Sequence, residues 1–258
     1  MALPRLQLFE FNDASWAPAL LRETIVEALS RTLRWGRMLD GLVSPLARCL
    51  EAAGTSQVLD LCAGAGGPAA VLSEAMARRG HDVHFLMSDL FPAVSEWEPL
   101  SAGNPRLGFV AESVDATAIS PALGAGRVRV IINALHHFPP DVARKVLRGI
   151  CQDAPGVFIA EGLVRNPFSF AALAPVGIAA LLAAPLVSKD RRFARALMSP
   201  FSLAASAWDG TVSSMRIYLP EELQEMVADL DGWTWTSGTF AHSAGFGSGV
   251  WFSGRRSR

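Results

Sequence analysis

Val58-Leu59-Asp60-Leu61-Cys62-Ala63-Gly64-Ala65-Gly66-Gly67-Pro68 is an apolar run that ends in an acid-bearing, glycine-rich loop and opens a helix. Glycines at such a corner let a ligand approach the backbone closely, which suits a nucleotide. The spacing departs from the dinucleotide fingerprint, because after Gly64 and Gly66 the third glycine position is Ala69, which the relaxed pattern allows. Asp60 separates the readings. A carboxylate inside the strand repels a pyrophosphate but accepts from an ammonium, directly or through water. The loop therefore suits a cationic amino-acid cofactor, and a nicotinamide-dependent dehydrogenase is disfavoured.

Outward from this loop, short apolar runs alternate with helix-like stretches. Residues 57–61, 83–87, 107–110, 128–133 and 157–160 read as strands, and 68–79 and 140–152 as helices between them. Strands joined by helical crossovers imply a mostly parallel sheet with helices on both faces. After Pro220, a helix over 221–230 and strands over 232–240 and 249–253 complete about seven strands. Residues 254–258 read as a frayed basic tail. Upstream, 13–50 read as helices, with Asp13 or Ser15 as N-cap and Leu21, Ile25, Leu29 and Leu33 at helical spacing.

The other strand ends also carry polar groups. Asp89 and Leu90 follow the second strand, where an acid can grip a ribose diol; Asp115 and Ala116 follow the third, and Asn133 and Ala134 the fourth. The structural alternatives are Asp60 capping its loop, Asp89 opening a turn before Pro92, and Asp115 as a solvated loop acid.

These four strand ends resemble those of class I S-adenosylmethionine-dependent methyltransferases, from about Val58 to Gly162 in the motifs and to about Ser253 through the closing strands. The resemblance implies an α/β, Rossmann-like, seven-stranded, mostly parallel sheet with a reversed last strand. It also implies S-adenosyl-L-methionine as cofactor and S-adenosyl-L-homocysteine as product. By the same analogy Asp60, Cys62, Ala63, Gly64 and Gly66 contact the methionine part. Asp89 and Leu90 contact the ribose and adenine, Asp115 and Ala116 the adenine edge, and Asn133 and Ala134 the methionine end. Residues 1–56 then form an N-terminal helical cap, and 57–258 the cofactor-binding domain with a helical lid insertion at about 165–215. The flanks, Phe9-Glu10-Phe11-Asn12-Asp13 with Trp16 and Trp208 through Tyr218, are similar to those of bacterial methyltransferase-like proteins with an apolar insertion after the fifth strand. They support the fold and not the chemistry.

Composition narrows the substrate. The 258 residues carry 23 Lys+Arg against 24 Asp+Glu, and only 18% are charged. A near-neutral chain lacks the basic field that nucleic-acid binding needs, so no nucleic-acid partner is expected. Cys49, Cys62 and Cys151 lie far apart without Cys-x-x-Cys pairs, which points to a reducing compartment and no zinc site. No secretory signal pattern is apparent, so a cytoplasmic location is the expectation. Phe168–Val187 is uncharged, and ~20 apolar residues suffice to span a bilayer. Pro175, Gly177 and Pro185 break it, and a span would strand the last two strands across the membrane. A pocket-covering helical insertion is the main reading. Peripheral membrane contact through 168–195, with Lys189, Arg191, Arg192 and Arg195 facing lipid headgroups, is the alternative.

Methyl transfer from a sulfonium needs alignment in a dry pocket more than it needs a base. His137 and His136 follow the fourth strand at the ligand-binding edge of the sheet, and either can take a proton near neutral pH. Glu161, ending the fifth strand, can hold an acceptor. Each also has a structural reading, as loop cap or packing residue. Trp16, Trp35, Trp208 and Tyr218 are candidate pocket walls, and His242 has no assigned role. No acidic cluster of the catechol type is visible, so no divalent ion is expected. A hydrophobic small-molecule acceptor remains. The rivals are a protein of this fold that binds the cofactor without methylating, and a membrane-associated enzyme acting on a lipid or isoprenoid.

Overall fold

A computed structural model describes residues 3–14, 16–188, 191–243 and 247–257. Its strands are β1 (Gln57–Leu61), β2 (His84–Ser88), β3 (Leu107–Phe109), β4 (Val128–Ile132), β5 (Gly156–Glu161), β6 (Trp233–Ala241) and β7 (Ser248–Arg256). They form one seven-stranded sheet in the order β3-β2-β1-β4-β5-β7-β6. β7 runs antiparallel to both β5 and β6 and is the one reversed strand. The chain turns one way from β1 to β2 and the other way to β4, which leaves a crevice at the carboxyl ends of these strands.

Helices α1 (Ala19–Trp35), α2 (Val43–Ala53), α3 (Gly67–Arg78), α4 (Val94–Gly103), α5 (Pro121–Gly124) and α6 (Pro140–Cys151) precede the insertion. The insertion consists of a 3-10 turn (Ser169–Leu173), α7 (Ala174–Leu182), α8 (Ala184–Val187) and α9 (Arg192–Arg216), after which α10 (Pro220–Met226) leads into β6. Alternate residues of the central strands feed two cores. Val58, Val130 and Phe158 pack with Leu46 and Leu72 on one face, while Leu59, Ile131 and Ile159 pack with Leu147 and Ile150 on the other. Each fully buried aliphatic side chain of this kind contributes about 1.5–3 kcal/mol, and cover on both faces is why the central strands read as apolar throughout. Of residues 1–56, α2 belongs to this layer, packed on β5 and β7, whereas α1 packs against α7 and α9 of the insertion.

Several expectations change. Helix α1 starts at Ala19 with Pro18 as its N-cap residue and no side-chain cap, so Asp13 is not a cap; its carboxylate is drawn to Arg216 and His137 instead. Ser15 and Lys189 lie outside the described residues. Residues 254–256 of the expected basic tail are strand: Arg255 pairs with Gly156 of β5 and Arg256 with Trp233 of β6, and the Arg256 guanidinium lies 5.0 Å over the Trp233 ring. Gly254 permits this, since a Cβ there would stand 2.3 Å from the Trp235 ring. The uncharged stretch is divided as its prolines require, with Pro175 and Pro185 in the first turns of α7 and α8. Among the described residues no helix is long and apolar enough to cross a membrane. Arg195 is buried and paired with Glu27, so it faces α1 and not a headgroup.

Candidate active site

The crevice at the carboxyl ends of β1, β2 and β4 gathers the glycine loop and its acids. Asp60 is buried, and its Oδ2 has no hydrogen-bond partner among the described residues. Burial, with the neighbouring Asp89 charge adding to it, pushes the Asp60 carboxyl up to about 8. Burial, Asp89, Asp60 and Asp115 likewise push the Cys62 thiol up to about 12, so it stays protonated. Asp89 ties two loops together: its Oδ2 accepts from the Gly64 N–H and its Oδ1 from the Phe91 N–H, each at 2.9 Å. The Ala63 N–H donates to the Ser88 carbonyl at 3.1 Å, and the Trp97 indole N–H to the Gly64 carbonyl at 2.8 Å. Gly66 turns the loop into α3 at φ +77°, where a Cβ would meet Leu100 and the Met87 sulfur at 2.9 Å. Leu90 is exposed beside this loop.

Asp115 is an exposed acid whose Oδ1 accepts from the Thr117 N–H and hydroxyl, both at 2.7 Å, which holds it below the usual carboxylate range. Its loop is nonetheless joined to the second strand end, through Val114 N–H to the Asp89 carbonyl and Ser113 hydroxyl to the Leu90 carbonyl. Ala116 is buried and packs in the core with α6 residues. Asn133 takes a left-handed φ of +56° and accepts from the Gly162 N–H at 2.6 Å, linking the ends of β4 and β5; Ala134 is partly buried beside it.

Beyond Asn133 lies a cavity of about 240 Å³. Its polar end holds Asn133, His136, His137 and Glu161; its apolar walls include Ile25 and Leu29 from α1, Leu181 from α7 and Leu203 from α9. None of Trp16, Trp35, Trp208 and Tyr218 lines it. The three tryptophans are exposed, and Tyr218 donates its hydroxyl to the Phe138 carbonyl at 2.7 Å, so the expected aromatic walls give way to walls that are mainly aliphatic, with Phe170 among them.

The two histidines stand on a 3-10 turn (Leu135–His137) after β4, with ring centres 4.2 Å apart. His136 is clamped by Glu161, which sits 2.7 Å from Nδ1 through Oε2 and accepts from the His136 N–H through Oε1 at 3.1 Å. His137 Nδ1 lies 3.1 Å from Asp13. Arg216 joins the cluster, with Nη1 at 2.9 Å from both Asp13 and Glu10 and Nη2 donating to the Leu8 carbonyl. Burial disfavours the Asp13 charge, but His137 and Arg216 outweigh it and hold the carboxyl down to about 2. In Glu10 burial wins over the same two neighbours and the carboxyl is raised.

Glu10, Asp13 and Arg216 were legible only as flanks of the fold. They meet over the sheet edge because the strap before α1 crosses the end of α9, where Asp209 accepts from the Phe11 and Asn12 N–H groups at 2.7 and 3.0 Å. An acid-aromatic flank matched by a lone arginine at the end of an apolar insertion was the available signal. His242, without a role in sequence, is buried with Nε2 at 2.8 Å from the Gly162 carbonyl and steadies the turn after β5.

No family model matches the chain, and no curated protein does. Solved structures do. A putative O-methyltransferase from Nostoc punctiforme is similar at TM-score 0.52 and 14% identity over 98% of this chain, which spans 64% of that protein. The methyltransferase domain of a bacterial CtHen1 gives 0.52 and 11%, over 84% of this chain and 99% of that one. The mitomycin 7-O-methyltransferase MmcR gives 0.50 and 14%, over 96% and 70%. At these identities the likeness concerns the architecture: a seven-stranded sheet with a reversed last strand, the class I methyltransferase fold.

Proposed function

On a class I methyltransferase fold, we propose that this protein moves a methyl group from S-adenosyl-L-methionine to O, N or C of a hydrophobic small molecule. The observation that carries the reading is the aliphatic-walled cavity of about 240 Å³ ending on the tips of β4 and β5, next to the glycine loop of β1. The cofactor supplies a methyl group on a cationic sulfur, which in-line attack by the acceptor displaces to leave S-adenosyl-L-homocysteine. The loop fits it: the unpartnered Asp60 oxygen suits an ammonium, and Gly64 is exposed with open space where a Cβ would stand. Asp89 keeps lone pairs for two ribose hydroxyls beyond the two N–H groups it already accepts. Cys62, Ala63, Gly66 and Asn133 shape the methionine end, Leu90, Asp115, Ala116 and Ala134 the nucleoside surroundings. His136, His137 and Glu161 hold the acceptor, with His137 as the group that takes its proton. The α1, α7 and α9 walls keep water from the sulfonium.

The two similar O-methyltransferases act, by name, on small molecules or carry no named substrate, and the first agrees with such an acceptor. Replacing Asp89 with Ala is expected to weaken cofactor binding at least tenfold in calorimetry while the fold persists. Unchanged affinity defeats the assignment. Labelled cofactor offered with apolar hydroxy- and amino-compounds tests transfer itself, and uptake without transfer favours the non-methylating rival.

A second reading concerns the outside of the lid. Phe193, Leu197 and Phe201 recur every fourth residue along α9 and are 81%, 58% and 66% exposed, beside Leu186 at 75%. An apolar stripe of this kind suits contact with a lipid surface, from which a hydrophobic acceptor would enter.

A further inference from the structure

We propose that Glu10, His136 and His137 bind a divalent transition-metal ion at the polar end of the cavity. One ligand atom from each lies within 4.8 Å of the other two. The expectation of no divalent ion rested on the absence of a visible acidic cluster in the sequence, and the strap that carries Glu10 is brought to the histidine turn only by the fold.

The arrangement behind the ligands is that of a metal site. Glu161 occupies His136 Nδ1 at 2.7 Å, which leaves Nε2 as the ring atom open to a ligand. A carboxylate behind a ligating imidazole fixes its tautomer and raises its basicity. Glu161 is itself held by the His136 N–H, so toward the metal it acts through His136 as a positioning residue. Glu10 is prepared in the same way: Oε1 is fixed by Arg216 at 2.9 Å and the Ser213 hydroxyl at 3.0 Å, while Oε2 stands 3.9 Å from His137 Nδ1, which lies 3.1 Å from Asp13 and 3.4 Å from Arg216 Nη1. Metal–ligand bonds of ~2.0–2.2 Å bring ligand atoms closer than this, so ligation requires the partly buried His137 ring to turn away from Asp13 and Arg216.

Charge points the same way. Glu10, Asp13 and Glu161 bring three carboxylates to this cluster, and Arg216 is the guanidinium that pairs with two of them. Glu10, Glu161 and Arg216 are all buried. With neutral imidazoles the cluster keeps an excess of negative charge, which a dication offsets where water is excluded. Two imidazoles and one carboxylate suit zinc, cobalt, nickel or iron(II) over magnesium or calcium. Three protein ligands leave coordination positions open, and Glu10, His136 and His137 all line the cavity. With the ion bound, an oxygen of the acceptor ligates it, and His137 then serves as a ligand instead of taking the acceptor's proton as in the metal-free reading. That role rests on the methyl-transfer reading, whereas ion binding does not.

The test is titration of the chelator-treated, untagged full chain with Co²⁺, followed by visible absorption and calorimetry. The expected result is one ion per chain with a visible band of nitrogen–oxygen coordination, and a loss of affinity of about 10–100-fold in Glu161→Gln. Glu10→Gln and His137→Ala are expected to lose the band, while His84→Ala, an exposed histidine elsewhere, keeps it. Circular dichroism identifies any variant that fails to fold, and the partly buried His137 provides the second variant if Glu10→Gln does so. Absence of a saturable band, or equal affinity in all variants, overturns the proposal. Cofactor titration of the same preparation separates the two readings: cofactor uptake without Co²⁺ binding removes the metal site alone, and Co²⁺ binding without cofactor uptake keeps the site and removes the proposed function.

Discussion

Asp60 shows how a single residue links stability to ligand binding. Its carboxyl titrates near 8 when folded against an ordinary value of 3.8, so the unfolded chain releases this proton first as pH rises. The cofactor-free protein therefore loses stability through this group between those two pH values, and the contribution is fully retained only below the lower one. Asp60→Asn is expected to melt above the wild type by a margin that grows from about pH 5 to about pH 8. A constant margin in thermal denaturation at both ends would show that the carboxyl ionises normally. An ammonium at Asp60 needs the charged form, so cofactor affinity is expected to rise with pH, by up to about tenfold per unit, and to level off near 8. Calorimetry in buffers of differing ionisation enthalpy detects the released proton.

At the scale of elements, α7 to α9 are held on α1 by a polar clamp. Glu27 receives Arg195 of α9 at 2.7 Å, the Ser188 hydroxyl after α8 at 2.6 Å and Arg31 at 3.3 Å, and Arg195 also reaches the Thr24 hydroxyl at 3.1 Å. The apolar content of α7 gave no hint of this clamp, because its members come from separate segments. Arg195→Ala removes a buried guanidinium's hydrogen bonds to Glu27 and Thr24, which costs about 1.5–3 kcal/mol. Amide hydrogen exchange in α7 to α9 is expected to quicken accordingly, with β1 to β5 unchanged. Uniform acceleration across the sheet would mean that the lid does not open on its own.

For the whole molecule, the question is what the outer face of the lid meets. If the α9 stripe rests on lipid, the wild type sediments with anionic vesicles, and Phe193→Ser with Phe201→Ser stays in the supernatant. Recovery of the wild type in the supernatant sinks the second reading and leaves the insertion as a pocket cover.

The succession of strands along the chain and the glycine corner were legible in the sequence because each is a local property: Val58–Leu61 alternates between two buried faces, and Gly66 needs a left-handed φ whatever surrounds it. Histidines after β4 and Glu161 after β5 were found for the same reason, since strand ends of an open α/β sheet project at its binding edge. The pairing of His136 with Glu161, the meeting of Glu10 and Asp13 with Arg216, and the aliphatic walls of the cavity were decided by tertiary structure alone. Contacts between Glu10 and residues more than 120 positions away leave no periodicity along the chain; they exist because burying α1, the strap and α9 together over the crevice brings their charges close enough to require partners.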